Sequence, residues 1–303
     1  MRNGIIIINK EKGYTSHDVV AKLRGITKQR KIGHTGTLDP DATGVLPVCL
    51  GKATKVCELL TNQEKSYETV LLLGKVTDTQ DVSGAVLAEN ETKGLSEQQV
   101  RDCIRGYIGV YEQLPPMYSA LKVQGKKLYE LAREGKVVAR RTRQVTVYDI
   151  TNLEISMPRV RMKVHCSKGT YIRTLCHDIG EELGCGGCME ELVRTSVGRF
   201  HLADSYTLTQ VEDFMKQGRL DEILLPIDEM FPELTKVTVL PISEPLAYNG
   251  NDIPLTGIEV TYQLREGERV RLYDSKGRFI GIYNWRKEEF FRVEKFFARV
   301  HED

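Results

Sequence analysis

Gly33-His34-Thr35-Gly36-Thr37-Leu38-Asp39-Pro40-Asp41-Ala42-Thr43-Gly44-Val45-Leu46 is a polar, glycine-punctuated run set between apolar segments. Its glycines, Gly33, Gly36 and Gly44, give the backbone a freedom that other residues lack. Pro40 pushes Asp39 out of the helical region, towards an extended or turn shape. The run therefore reads as a shaped loop that displays a carboxylate. Loops held on a rigid scaffold are where binding and catalytic groups concentrate.

Outward from this loop the chain alternates between two periodicities. Upstream, Gly4–Asn9 is a short β-branched run and predicts a buried strand. Ser16 predicts the cap of a helix whose apolar face is Val19, Val20, Leu23 and Ile26. Downstream, Val45–Leu50 and Cys57–Leu60 are apolar enough to pack the base of the loop. Lys65–Gly74 predicts a strand, and Ser96 with Gln99 a capping box for a helix to about Arg105. Val145–Ile150 and Val160–Cys166 predict strands, and Lys168-Gly169-Thr170 a turn into a helix from about Tyr171 to Leu183. Thr209 with Glu212 predicts another capped helix. This order fits a mixed α/β (α+β) core. Composition changes near Val239–Pro245. Beyond it, Arg269–Tyr273 and Arg278–Tyr283 flank Asp274-Ser275-Lys276-Gly277 and read as a hairpin of a small all-β unit. The expected division is 1–238 and 239–303.

The chain has 303 residues, 41% of them hydrophobic and 28% charged, the balance of an ordinary soluble protein. The run Ile5–Ile8 is too short for a signal peptide or a membrane span. Seven cysteines without framework spacing predict reduced thiols and a cytoplasmic location. The net charge of +1 hides a polarity. Lys122, Lys126, Lys127, Arg133, Lys136, Arg140, Arg141 and Arg143 face only Glu130 and Glu134 between 122 and 143, while 202–235 carries eight acids against two bases. A basic patch of this kind suits a polyanion, and it equally suits a solvated hairpin.

Ordinary motifs fail. Gly44 to Gly51-Lys52 has six residues between its glycines and Ala53 after the lysine, so it is not a phosphate-binding loop. Cys185-Gly186-Gly187-Cys188 is a lone pair, short of the four ligands a structural zinc requires. No metal is expected. From residue type alone, His34 and Asp41 read as ordinary loop residues. Asp39 differs, because an aspartate becomes a nucleophile only when ionised and well aimed. A guanidinium beside it would hold its geometry and keep its charge. Arg173 is the candidate, since a cation in a first helical turn opposes the helix dipole and hints at a partner carboxylate.

The loop Gly33–Leu46 resembles, position by position, the signature of the TruB family of tRNA pseudouridine synthases. Three further blocks match in the same order: Lys65-Ser66-Tyr67; Met117-Tyr118-Ser119-Ala120-Leu121-Lys122 with Gly125-Lys126-Lys127-Leu128-Tyr129; and Cys166-Ser167-Lys168-Gly169-Thr170-Tyr171-Ile172-Arg173. The resemblance spans about 4 to 235, and the last 60-odd residues are more loosely similar to the small β-barrel PUA domain. It implies a mixed, mainly antiparallel sheet with flanking helices, and an RNA-gripping insertion at about 113–150. It implies isomerisation of one uridine to pseudouridine in the T loop of tRNA, at position 55 in tRNA numbering, without a cofactor. Asp39 would be the nucleophile and Arg173 its partner. Tyr67 would stack on the uracil and take part in proton removal. His34 would help displace and hold the flipped base, and Tyr171 and Leu192 would line the uridine pocket. Lys122, Lys126, Lys127, Arg140, Arg141 and Arg143 would grip the RNA backbone. The family block Lys-Pro-x-Gly is met here by Lys10 with Glu11 in place of proline, which leaves the rigidity of the turn at 10–13 open and the chemistry untouched.

A carboxylate can enter this reaction at the sugar C1′, at C6 of the base or by way of a glycal, and the residues do not choose among them. Two other readings fit the resemblance: a non-catalytic tRNA-binding or folding module, and a guide-RNA-dependent subunit of the dyskerin kind. The joint presence of Asp39, Tyr67, Tyr171 and Arg173 argues against the first. The short C-terminal unit, the 122–143 segment and the lack of long lysine-rich tails argue against the second. The expectation is a monomer that acts on the T arm of tRNA, with no obligatory protein partner and no membrane.

Overall fold

The computed structural model describes residues 1–123, 125–259, 265–286 and 289–298. The four isoleucines at the start form β1 (Gly4–Lys10), buried along almost its whole length. α1 (Ser16–Thr27) follows, capped by Thr15 and not by Ser16. The Thr15 hydroxyl accepts from the Asp18 amide and the Asp18 carboxylate accepts from the Thr15 amide, a capping box one residue earlier than expected. β2 (Ile32–His34) and β3 (Thr43–Leu50) flank the glycine-rich loop, followed by α2 (Cys57–Thr61), β4 (Lys65–Leu73), β5 (Lys75–Thr77) and β6 (Val86–Glu89). α3 (Glu97–Gly106) carries the Ser96–Gln99 capping box the sequence predicts. After β7 (Gly109–Gln113) the chain leaves the core. It forms the small hairpin of β8 (Lys122–Val123) and β9 (Lys126–Lys127) with α4 (Leu128–Arg133), and returns as β10 (Arg143–Ser156). Val145 and Val147 are buried sheet residues. β11 (Arg159–Cys166), α5 (Ile172–Glu182), β12 (Gly187–Val197), β13 (Phe200–His201) and α6 (Leu208–Lys216) complete this part. The cap of α6 is Thr207 with Gln210, two residues before the expected pair, because the helix must start early enough to bury Leu208 and Val211.

Nine strands form one sheet in the order β1-β3-β12-β4-β11-β10-β7, with β2 on β3 and β13 on β12. All its pairings are antiparallel except one. β3 and β12 run parallel, with Thr43 opposite Val193 and Gly44 opposite Arg194. The sheet is thus mixed and mainly antiparallel, and its parallel seam lies at the exit of the glycine-rich loop. One apolar layer, including Leu71, Ile104, Val164, Leu175 and Ile179, lies under α3 and α5. Another, including Ile6, Val19, Leu23, Leu46 and Val211, lies under α1 and α6.

A second sheet begins at β14 (Thr235–Val239) and continues past α7 (Glu244–Tyr248) through β15 (Ile253–Pro254), β16 (Ile258–Glu259), β17 (Arg269–Tyr273), β18 (Phe279–Arg286) and β19 (Phe290–Phe296). Its order β15-β19-β18-β17-β14-β16 makes a nearly closed barrel around Val237, Leu272, Tyr283 and Phe291. Ile282 and Phe297 pack in one cluster with Ile5, Val45, Val56 and Phe231 of the larger sheet. The Tyr273 hydroxyl donates to Asp228 over 2.7 Å. Among the described residues, no helix is long and apolar enough to cross a membrane.

Gly44 is the backbone position that the seam constrains most. Its φ is +102°, and a Cβ there would lie 2.2 Å from the Arg194 carbonyl oxygen. Gly13 also has positive φ, +88°, yet a Cβ there meets nothing within 4 Å. Gly13→Ala is therefore expected to cost about 1 kcal/mol, and Gly44→Ala roughly 3 kcal/mol or more, because backbone must move. Urea denaturation of the two variants measures the difference, and equal losses would contradict it.

Candidate active site

Asp39 sits on a loop that is tied down from several elements. Leu38 N donates to the Ser16 hydroxyl over 3.0 Å, the task that Ser16 performs in place of capping. Gly13 N donates to the Pro40 carbonyl over 2.9 Å. Thr35 is buried and donates through both its amide and its hydroxyl to the Pro47 carbonyl. Lys10, fully buried, sends its ammonium to the carbonyls of Glu11, Tyr14 and Pro40 at 3.0, 2.6 and 3.0 Å. The turn at 10–13 is therefore held by the lysine side chain, and Glu11 in place of proline does not leave it loose. Burial lowers the Lys10 ammonium to about 8, with the charges of Asp39 and Asp41 pulling the other way. Of the three glycines in the loop, Gly36 and Gly44 use positive φ and Gly33 does not.

The Asp39 carboxylate meets the Arg173 guanidinium as a fork, Nε to Oδ2 at 3.0 Å and Nη2 to Oδ1 at 3.4 Å. Arg173 is in the first turn of α5 and buried to 5% exposure, so it is not the free surface arginine it could have been. Its remaining donors are used: Nη1 reaches the Thr79 carbonyl at 3.0 Å and lies 3.7 Å from Asp81, and Nη2 donates to the Tyr118 carbonyl at 2.7 Å. Burial pushes the Asp39 carboxyl above its ordinary range; Arg173 opposes the shift, Asp81 adds to it and Lys10 opposes it. The side chain still keeps 39% exposure on its open side. With water on one face and a guanidinium fork on the other, the ionised form is the one this geometry favours.

Tyr67 and Tyr171 lie within the field of the carboxylate, and His34 lies apart from them against α1. Tyr67, on β4, is 8% exposed and packs with Leu38, Ala42 and the half-buried Leu192. Burial raises its phenol, against the pull of Arg194. Tyr171 precedes α5, and its peptide is clasped on both sides by the buried Gln113 side chain, which accepts from Tyr171 N at 2.7 Å and donates to Tyr171 O at 3.0 Å. His34 lies at the end of β2, edge-on to His17 at 5.2 Å between ring centroids; burial and then the His17 charge lower its imidazole. Asp41 is exposed and stands outside the Arg173 fork. Cys185 and Cys188 are buried free thiols.

The basic segment divides. Lys122, Arg141 and Arg143 are exposed and make no ion pair among the described residues. Lys126 lies 3.8 Å from Glu134, and Lys127 sits on the Tyr129 ring with its ammonium donating to the Tyr129 hydroxyl. Arg140 is half-buried and donates to the Pro115 carbonyl at 2.8 Å, so it closes the base of the insertion. Sequence reasoning missed Asp81, Gln113 and Arg194. Asp81 joins the site only because 80–82 is stitched to Met189 of β12, and no spacing in the chain announces that contact.

Arg173→Ala removes the attraction that opposes burial at Asp39. Loss of a cation favours the protonated form, so the Asp39 titration midpoint moves further up. Carbon NMR of labelled aspartate should show this rise, and a smaller one for Arg173→Lys. An unmoved or lowered midpoint would show that Arg173 does not set the charge of Asp39.

Comparison with known proteins fits this geometry. The description "TruB family pseudouridylate synthase (N terminal domain)" matches residues 24–172, and "tRNA pseudouridylate synthase B C-terminal domain" matches 173–232. The chain is 48% identical to a tRNA pseudouridine synthase B of Lachnoclostridium phytofermentans, over 93% of this chain and 95% of that one. It is 44% identical to that of Clostridioides difficile, over 92% and 93%. Among solved structures it is similar to a chain in a Cbf5-Nop10-Gar1 complex, with a TM-score of 0.70 and 29% identity over 98% of this chain and 85% of that one. It is also similar to a chain of an H/ACA RNP bound to a substrate RNA containing 2′-deoxyuridine, with a TM-score of 0.69 and 27% identity over 98% and 86%.

Proposed function

This chain belongs to the TruB family of pseudouridylate synthases, and on that premise we propose that it isomerises one uridine to pseudouridine in the T loop of tRNA, at position 55 of tRNA numbering. The observation that carries the reading is the Asp39 carboxylate, forked by a buried arginine and open on one side, beside the apolar wall of Tyr67 and Leu192. The target uridine is stacked inside a folded loop and must be extruded, at a cost of roughly a few kcal/mol. Tyr67 offers the flipped base an aromatic face, and Tyr171 and Leu192 complete the pocket. We assign His34 the task of helping to displace and hold the flipped base.

The reaction breaks the N1–C1′ bond and makes a C5–C1′ bond between the same base and sugar. Asp39 is the nucleophile that lets the base detach, following glycosyl-enzyme logic. The uracil stays in the apolar pocket, turns and reattaches through C5, and Asp39 leaves as a free carboxylate as the C5–C1′ bond is made. The C5 proton then leaves, N1 gains one, and Tyr67 is the group placed to take part in the removal. Substrate and product are isomers, so no oxidant or reductant enters the balance, and no cofactor is invoked.

Lys122, Arg141 and Arg143 are the free cations of the insertion and the proposed grip on RNA phosphates. The C-terminal barrel is a PUA-like second grip on the tRNA. We assign the chain a cytoplasmic location and action as a monomer without protein partners; its 44–48% identity to relatives named tRNA pseudouridine synthase B, against 27–29% to chains from H/ACA RNP and Cbf5-Nop10-Gar1 structures, supports this.

Incubation with an unmodified tRNA transcript, followed by mapping of pseudouridine, tests the function directly. Product at position 55 of the T loop is expected, and none anywhere would refute the reading. Asp39→Asn should bind the transcript within a few-fold of wild type and form no product. Turnover by that variant would remove the nucleophile assignment. Replacing Lys122, Arg141 and Arg143 together by alanine should reduce the salt-dependence slope of binding by about 2–3; an unchanged slope would remove the grip.

A further inference from the structure

Arg194 is among the largest fully buried side chains of the molecule, at 2% exposure, and nothing in the function above requires its charge. It lies on β12 where three features of the site converge. Along one ladder it is the register partner of Tyr67 on β4, so the two side chains share one face of the sheet. Register shifts lie on either side of this pairing, between Met189 and Glu191 and between Arg194 and Ser196, and bulges of this kind re-aim side chains beside active sites. Along the other ladder it pairs with Gly44. Its Nε donates to the Val45 carbonyl at 2.7 Å and its Nη1 to the Thr37 carbonyl at 3.4 Å, so one guanidinium spans both ends of the Asp39 loop. Nη2 is buried and has no hydrogen-bond partner.

A neutral amide could satisfy two carbonyls at lower cost. A buried cation without a carboxylate is expensive, and the charged groups whose fields Arg194 shares are themselves cationic or titrate to cations: Lys10, Lys65 and His34. The group facing it that can supply a negative charge is the Tyr67 hydroxyl, which Cys166 and Asp39 also face. We propose that Arg194 is a positioning residue for the isomerisation, one that fixes the Tyr67 phenol oxygen and stabilises its deprotonated form while Tyr67 removes the C5 proton. In that step the phenolate oxygen takes the C5 proton, the electrons of the C5–H bond restore the C5=C6 bond of uracil, the N1=C6 π pair returns to N1, which takes a proton from solvent, and the phenol later loses its proton to solvent. The Arg194 field already opposes the upward shift that burial imposes on the phenol.

The inference rests on the role of Tyr67 proposed above, and the test separates the two. Single-turnover rates and release of label from C5 of 5-tritiated uridine are measured against pH with an unmodified tRNA transcript. The proteins are wild type, Tyr67→Phe, Arg194→Gln and the double variant, with fold checked by circular dichroism and melting. Arg194→Gln is expected to slow release about 100-fold, to move the pH profile to higher pH, and to leave tRNA affinity within a few-fold. The double variant should be no slower than Tyr67→Phe alone. If the two losses multiply, or the Arg194→Gln profile keeps its position, Arg194 is only a structural pin and the inference falls, while the role of Tyr67 stands. If Tyr67→Phe releases label at the wild-type rate, the role of Tyr67 falls and takes the inference with it. Should Arg194→Gln not fold, Arg194→Lys, which keeps the charge, must keep the wild-type pH profile. In that background a more acidic 3-fluorotyrosine at position 67 must shift the profile down, and failure of either result overturns the proposal.

Discussion

Three buried cations beneath one open loop are the constraint on which the site depends. Lys10, Arg173 and Arg194 are each at most 5% exposed, and each ends on a carbonyl or carboxylate of the loop or of a segment beside it. Burying such groups costs free energy unless their donors are satisfied, so each one specifies where its acceptors must be. Lys10 fixes the Pro40 carbonyl, Arg194 fixes Thr37 and Val45, and Arg173 fixes the carboxylate between them. The loop is tied down because these cations would otherwise hold still more unsatisfied donors. A carboxylate held this way keeps one geometry, which is what the proposed nucleophile needs.

Much of this was legible in the chain, for reasons that differ from residue to residue. Asp39 stood out because glycines and a proline mark a shaped loop, and Arg173 because a cation at a helix start asks for an anion. Strand β1, the Ser96 helix and the C-terminal hairpin carry local periodicity and turn chemistry, which sequence reports directly. The helix caps at Thr15 and Thr207 were misplaced by one and two residues, since several Ser and Thr side by side give equivalent local signals and burial of the following apolar face decides among them. Arg194 and Asp81 were invisible. Their roles arise from the parallel seam of β3 with β12 and from the stitching of 80–82 to Met189, pairings between segments more than 100 residues apart. The basic segment was legible as charge but not as contacts: sequence gave Arg140 the same standing as Arg141, whereas the fold spends Arg140 on the Pro115 carbonyl.

That insertion is also wired into the chemistry. The Tyr118 carbonyl within it accepts from the same Arg173 nitrogen that reaches Asp39. Burial raises the Tyr171 phenol above its ordinary range. Gln113, the last residue before the insertion, holds the Tyr171 peptide on both sides. Segment 114–142 therefore cannot shift at its base without disturbing the donor that fixes Asp39 or the residue expected to line the pocket. A grip that moves when RNA arrives would change the aim of the carboxylate in the same step. The insertion and the Asp39–Arg173 fork are thus joined through one guanidinium, so a displacement at the base of 114–142 reaches the carboxylate.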